Sequence, residues 1–406
     1  MEEDYTSIKI IRVYMKFIGM WHTENPCEEY IYIGLIIYIS MTCVVAGIVT
    51  GLDLYHSLGN LYAISNATPC TETTALALGA MVILTRNRRK LIQLAKYMNE
   101  NLWRSGKNPV ATDVLDKCNR HSLWIIAIFL SISQLMVVHY VSGPIFDMMD
   151  ENVTEKTLPF KLWISQEIIP YSRTPYYEIV YTVQSLATVS VGVTTASVGI
   201  FFCTTNIYTA GQLEILQINL GTLCEIDFEK FAIDVNDEIA LMHKIYENLK
   251  EYIKRHLILI SVIEQMEDMY CYIMLAQALS STSLICLTGF QLVTVSDMTT
   301  HRKLLCCEYF LAINCQFFLF SWVCHQVIMR SLEVADGAYN ANWHKIPYTG
   351  KGKDIRDGLM LIILRSHRAC SLSVGKFCPL SLETFASVLS TAMSYFTVLR
   401  QVSEED

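Results

Sequence analysis

The chain has 406 residues, 52% of them hydrophobic and 17% charged, with a formal net charge of −8 and a mean hydropathy of +0.32. Soluble globular chains carry about 25% charged residues, so an ordinary soluble domain is excluded. The apolar runs are also too long for barrel strands, which leaves an all-α integral membrane protein.

The segment 1–29 holds Lys9, Arg12 and Lys16 but no short apolar core ending in a small-residue cleavage site, so no cleavable signal peptide is expected. Seven apolar segments follow, at 30–52, 59–85, 123–145, 178–208, 269–295, 304–329 and 382–402. Each is long enough to cross a bilayer, which takes about 20 residues. The second is the weakest, because Asn66, Pro69 and Glu72 interrupt it. The fourth carries Gly192 and Gly199 and has length to tilt or to extend past the hydrocarbon. Fourteen cysteines are scattered without C-x-x-C spacing. Those in apolar runs, such as Cys43, Cys203, Cys271, Cys286, Cys315 and Cys324, read as small buried hydrophobes, with a Cys70 disulfide to Cys306 or Cys307 as an alternative. No metal-ligand, phosphate-loop or nucleophile–base spacing stands out, so neither a metal, a cofactor nor an enzymatic activity is expected, and no nucleic-acid partner.

The basic residues give the orientation. Of the 31 Lys and Arg, 25 fall in the N-terminal segment and the segments after the second, fourth and sixth spans, and 6 on the other side. Basic segments stay in the cytosol, so the N-terminus is expected inside and the C-terminus, with the tail 403–406, outside. The loop 146–177 then lies outside, and its sequon at Asn152 suits glycosylation. The segment 209–268 reads as a cytosolic helical linker, with Ile239, Met242, Ile245, Leu249, Ile253, Leu257 and Ile260 at helical spacing. The segment 330–381 contains "RDGLMLIILRSHRA", whose apolar core is too short to span; a buried cytosolic helix is the better reading.

The last span, 382–402, is about 31 Å long as a helix. Thr384, Ser387, Thr391, Ser394, Val398 and Gln401 form one stripe along it, and Phe385, Leu389, Ala392, Phe396 and Leu399 form the reverse side. Hydroxyls on a spanning helix either face a water-filled path or bond their own i−4 carbonyls and neighbouring helices. Spacing alone leaves both open.

Late in the chain, "SLEVADGAYNANWHKI" places Tyr339 and Trp343 just after the sixth span. Then come Arg365, Gly375, Phe377, the Leu-Ser-Leu of 380–382, Phe385, and Ser394-Tyr395-Phe396 with Leu399. This pattern resembles the insect odorant receptor family, specifically its variable odour-tuning subunits; the compact 209–268 segment differs from the expanded loop of the family's co-receptor. The resemblance implies a ligand-gated, non-selective cation channel in the plasma membrane of olfactory neuron dendrites, a heterotetramer with the co-receptor. Each subunit would donate its last helix to one pore, with the cytosolic helices as a central anchor. The family's gate motif matches at Val398, Gln401 and Val402, which favours the water-facing reading of the stripe.

The resemblance also implies a pocket for small apolar volatiles among spans two, three, four and six. Combined with the orientation, it nominates Thr73, Thr74 and Ala77; Gln134, Met136, Val137, His139 and Tyr140; Tyr181, Gln184, Ser185 and Thr188; and Tyr309, Phe310, Ile313 and Phe317. His139 is the leading polar candidate, because an intramembrane ionisable group is costly and suggests function. A gustatory-type channel subunit is the nearest alternative. The charge split opposes a G-protein-coupled receptor, and a transporter should show internal repeats that are not visible here.

Overall fold

The computed structural model describes residues 4–103, 109–149, 157–163, 171–224, 235–294, 300–348 and 350–405. The helices are α1 (Thr6–Phe17), α2 (Pro26–His56), α3 (Leu61–Arg86), α4 (Arg88–Asn101), α5 (Pro109–Met149), α6 (Tyr176–Gly221), α7 (Val235–Thr294), α8 (Thr300–Tyr339), α9 (Lys351–Ser366) and α10 (Leu382–Glu405). A two-stranded antiparallel hairpin, β1 (Ser373–Val374) with β2 (Cys378–Pro379), precedes α10. Seven helices, α2, α3, α5, α6, α7, α8 and α10, are long and apolar enough to cross a membrane.

The helices outrun the expected spans. Asn25 caps α2 by accepting from the Cys27 amide, with Pro26 at the first helical position, so the helix starts before residue 30. The interruptions in the second span do not break it: α3 runs through Pro69, with Ser65, Thr68 and Thr73 donating to carbonyls of the preceding turn. The first part of 209–268 continues α6 and its last part belongs to α7. With 60 residues, α7 is about 90 Å long at ~1.5 Å per residue, three times the hydrocarbon thickness. Its Asp, Glu, Lys and Arg residues all lie before Met269, and the stretch from Met269 onward is uncharged and membrane-length.

At the core's centre, the stretch 196–213 of α6 is buried on all sides between α5 and α8. Its glycines permit this approach: a Cβ on Gly192 would lie 2.7 Å from Val137 Cγ2 of α5, and one on Gly199 2.5 Å from Phe129 Cε1. Along α6, Thr188, Ser190, Thr194, Thr195 and Ser197 give their hydrogens to i−4 carbonyls, leaving no unmatched donor among them.

At one end of the bundle α1, α4, α9 and the extensions of α6, α7 and α8 form a second layer. Ile8, Ile11 and Met15 bury one face of α1 there; each contributes about 2 kcal/mol. Within the expected linker stripe, Met242, Ile245, Leu249 and Ile260 are buried, but Ile239 and Leu257 are exposed and His256 turns inward instead. Likewise α9 is only half buried: Ile355, Leu359 and Ile362 face α7 and α8, while Met360, Leu361 and Leu364 are uncovered. The hairpin is pinned to α7 where the Ser373 amide donates to Glu267 Oε2 at 2.7 Å and the Gly375 amide to the Cys271 carbonyl at 3.2 Å. That fixes where α10 begins. All fourteen cysteines are free, including Cys70, Cys306 and Cys307, so the alternative disulfide does not form.

Candidate functional site

A cavity of about 140 Å³ lies inside the bundle, at the end opposite the α1–α4–α9 layer. It is walled by α3, the C-terminal half of α5, the N-terminal half of α6 and the N-terminal half of α8, with Ala46 of α2 at one side. Of the nominated residues, Thr73, Thr74, Met136, Val137, Tyr140, Thr188, Tyr309 and Ile313 line it.

The other eight do not. Ala77 lies one turn deeper and lines a smaller cavity of about 30 Å³ with Gln277 and Gln316. Gln134 is exposed on the outside of the bundle. His139 turns to α8, its Nδ1 2.9 Å from Glu308 Oε2, so the expected polar anchor is an interhelical pair. Tyr181 donates to the Val141 carbonyl. Gln184 grips the backbone of Phe160, accepting from its amide at 3.0 Å and donating to its carbonyl at 3.1 Å. The Ser185 hydroxyl is buried away from the cavity. Phe310 packs beside Tyr309 in a small apolar cluster, and Phe317 is fully buried against Phe385 of α10, their rings 5.9 Å apart. Helical spacing selects a stripe but not its rotation, and these positions lie on the wrong side of their helices or one turn away.

Several lining residues extend the nominated stripes by a turn: Cys70 on α3, Ile132 and Ser133 on α5, Val191, Gly192 and Thr195 on α6, and Ala312 and Gln316 on α8. Phe160 had no such signal. It comes from the non-helical segment 157–163, and its ring lies tilted against that of Tyr140 at the cavity wall, with centroids 5.3 Å apart. Trp163 fastens the segment to the end of α2, donating to Asp53 Oδ1 at 2.8 Å and stacking on His56 at 4.3 Å.

The last helix, α10, packs one face on the bundle, mainly along α7. Phe385, Val388, Leu389, Ala392, Phe396 and Leu399 make that face, whereas Ser387, Thr391, Ser394, Val398 and Gln401 are exposed in the single chain. Thr384 sits between the faces and donates to the Pro379 carbonyl at 2.6 Å. Thr391 donates to the Ser387 carbonyl at 2.8 Å and Ser394 to the Ser390 carbonyl at 3.0 Å. At Thr391 and Ser394 the hydrogens are therefore spent on the helix, and both residues lie on the exposed face. The side chain of Val402 and the sequon at Asn152 lie outside the described residues.

Cavity and helix share a wall. Tyr309 and Ile313 line the cavity, and both belong to a buried cluster with Leu284 and Ile285 of α7 and Ala392 of α10. A polar joint supports the same region from α3, where the Glu72 carboxylate accepts from Ser280 at 2.7 Å and from Ser283 at 2.7 and 2.8 Å. Among the described residues no group of His, Cys, Asp and Glu is arranged to hold a metal ion.

The family model described as 7tm odorant receptor matches residues 60–393. Odorant receptor 13a of Drosophila melanogaster is 27% identical, over 98% of this chain and 96% of its own length. Odorant receptor Or2 of Anopheles gambiae is 25% identical over 79% of each chain. The odorant receptor coreceptor of Ooceraea biroi is 27% identical over 38% of this chain and 31% of its own length. The olfactory receptor OR5 of Machilis hrabei, solved with and without eugenol, has the same fold, with TM-scores of 0.81 and 0.80 over 97% of both chains at 15 and 16% identity.

Proposed function

The chain belongs to the 7tm odorant receptor family, a family of multi-pass membrane receptors and channels and not of enzymes, and on that premise we propose that it is an odour-tuning subunit of a ligand-gated cation channel. Its ligand, a small volatile, occupies the cavity walled by α3, α5, α6 and α8. Its conduction surface is the exposed face of α10, where Ser387, Thr391 and Ser394 replace part of an ion's hydration and Val398, Gln401 and Val402 form the gate. The N-terminus and the α1–α4–α9 layer lie in the cytosol, and the partner is the family's co-receptor in a heterotetramer at the plasma membrane. The relative named as a coreceptor supports that partnership.

One observation carries this reading: two of the side chains that wall the cavity, Tyr309 and Ile313, belong to the buried cluster that also holds Ala392 of α10. A ligand gates by binding one state better than the other, and a molecule pressing on Tyr309 and Ile313 presses on the seat of Ala392. Co-expression with the co-receptor in a cell with no odour response tests it. Volatile-evoked current is expected, and Ala312→Phe, which fills the cavity, should abolish it at unchanged surface level. Undiminished current in that variant places the ligand elsewhere.

A further inference from the structure

The polar groups around the cavity differ in what they have left to offer. Thr73, Ser133, Thr188 and Thr195 give their hydrogens to the carbonyls of Pro69, Gly192, Gln184 and Val191, at 2.7, 3.1, 2.9 and 3.0 Å. Toward the cavity they present lone pairs and carbon. Redirecting any of these hydrogens would cost a bond to a helix carbonyl. Gln316 turns its amide nitrogen toward Gln277 Oε1, 3.5 Å away on α7.

One corner is different. The thiol of Cys70 donates to the Tyr140 hydroxyl at 2.7 Å and lies 3.6 Å from the Tyr309 hydroxyl, and the two tyrosine rings meet edge to face at 6.1 Å. These groups bond to one another and not to helix carbonyls. A rotation about a C–O or C–S bond redirects such a hydrogen to a ligand and leaves the backbone untouched. Among the described lining residues, this corner groups two hydroxyls and a thiol whose hydrogens an incoming oxygen can take without breaking a bond to a helix carbonyl.

Charge and size narrow the ligand further. None of the described residues lining the cavity is Asp, Glu, Lys, Arg or His. An ionised ligand would enter without a counter-ion, at a large desolvation cost. The volume of about 140 Å³ is close to the ~150 Å³ that accommodates one benzene ring, and Phe129 and Phe160 supply aromatic walls.

Resting on the binding role proposed above, we infer that the ligand class is a compact neutral volatile, about one substituted ring in size, whose hydrogen-bond-accepting oxygen docks against the hydroxyls of Tyr140 and Tyr309. Ketones, esters, alcohols and phenols of that size qualify. Carboxylates, protonated amines and long-chain compounds do not, and a hydrocarbon of the same shape binds without the polar contact.

The test uses the full complex with the co-receptor and an isosteric pair, acetophenone and α-methylstyrene, in which C=O is exchanged for C=CH2; benzoate, benzylamine and hexadecanal complete the panel. Acetophenone is expected to act at about tenfold lower concentration than α-methylstyrene, the ratio one hydrogen bond supplies, and the other three to be weaker than both. In Tyr140→Phe/Tyr309→Phe, at retained surface labelling, the ratio of the two half-maximal concentrations should shrink below about threefold, whatever the size of the currents. Equal potency of the pair, an unchanged preference in the double variant, stronger action of a charged or long compound, or silence to both ring compounds at millimolar concentration each overturns the class. If the double variant fails to reach the surface, Tyr309→Phe alone is read by the same ratio. Ala312→Phe separates the two levels: equal potency of the pair together with loss of both responses in Ala312→Phe sinks only the ligand class, whereas responses that survive Ala312→Phe sink the site itself.

Discussion

Ile313, like Tyr309, lines the cavity and belongs to the buried cluster that holds Ala392 of α10, and truncating it should uncouple binding from opening. Ile313→Ala removes three carbons, about 2.4 kcal/mol of buried apolar contact at ~0.8 kcal/mol per carbon. Ile313 borders the cavity on one side and the cluster with Ala392 on the other. Assigning half of the loss to the α10 side gives about 1.2 kcal/mol, or roughly eightfold in the open-to-closed ratio. A ligand that no longer discriminates the two states shifts nothing however well it binds. The variant should therefore lose maximal current at saturating ligand by about that factor. Ile128→Ala is the control, because Ile128 lines the cavity but packs against the main core and not against α10; it should raise the half-maximal concentration and keep the maximum. Whole-cell concentration–response curves, normalised to surface label, read both quantities. If Ile313→Ala and Ile128→Ala behave alike, the shared wall does not carry the coupling.

Three further outcomes are expected. Glu72→Ala should lower the melting temperature of the solubilised complex and its surface level, since a carboxylate held by hydroxyl donors contributes about 1.5–3 kcal/mol; adding Ser280→Ala and Ser283→Ala should cost nothing further, and additive losses would mean the groups act separately. Gln184→Ala frees Phe160 from two hydrogen bonds, about 1 kcal/mol each; ligand washout should speed several-fold, and an unchanged off-rate would remove Phe160 as a wall. In the charged part of α7, burial first and the Arg365 guanidinium second push His256 down to about 4, so the unfolded chain takes up a proton near pH 6.5 while the folded one resists. Stability conferred by the neutral ring is full above pH 6.5 and lost as pH falls toward 4, by about 2 kcal/mol at pH 5; His256→Asn should flatten the melting-temperature drop between pH 7 and 5, and an identical drop would contradict it.

The membrane class, the seven spans and their approximate centres were legible because hydropathy and charge act over about 20 residues and tolerate local error. Helix ends were less so: the start of α2 is set by the local Asn25 cap and Pro26, and the run of α6 past residue 208 by packing in the second layer, neither of which hydropathy registers. The α1 helix carries a readable Ile8, Ile11, Met15 repeat, but nothing in the sequence says what it would pack on. The stripe of α10 came through nearly whole, because a helix with neighbours on one side only keeps its polar face in register. The cavity came through by half. His139 shows why: the cost of an ionisable group in a membrane identifies it as important, but only the position of Glu308, 169 residues away, decides whether it serves a ligand or another helix. Phe160 lies on a non-helical strap whose place is set by Gln184 and Trp163, so periodicity carried no trace of it.

The account rests on the exposed face of α10 being wet in the open channel. Single cysteines at Ser387, Thr391 and Ser394, and on the packed face at Val388, Leu389 and Ala392, can be placed in the co-expressed complex and treated with a charged aqueous thiol reagent during ligand application. Rapid current block at the first three with none at the second three is the predicted pattern. Block confined to the second set, or to neither, contradicts the assignment of α10 as the wall of the pore.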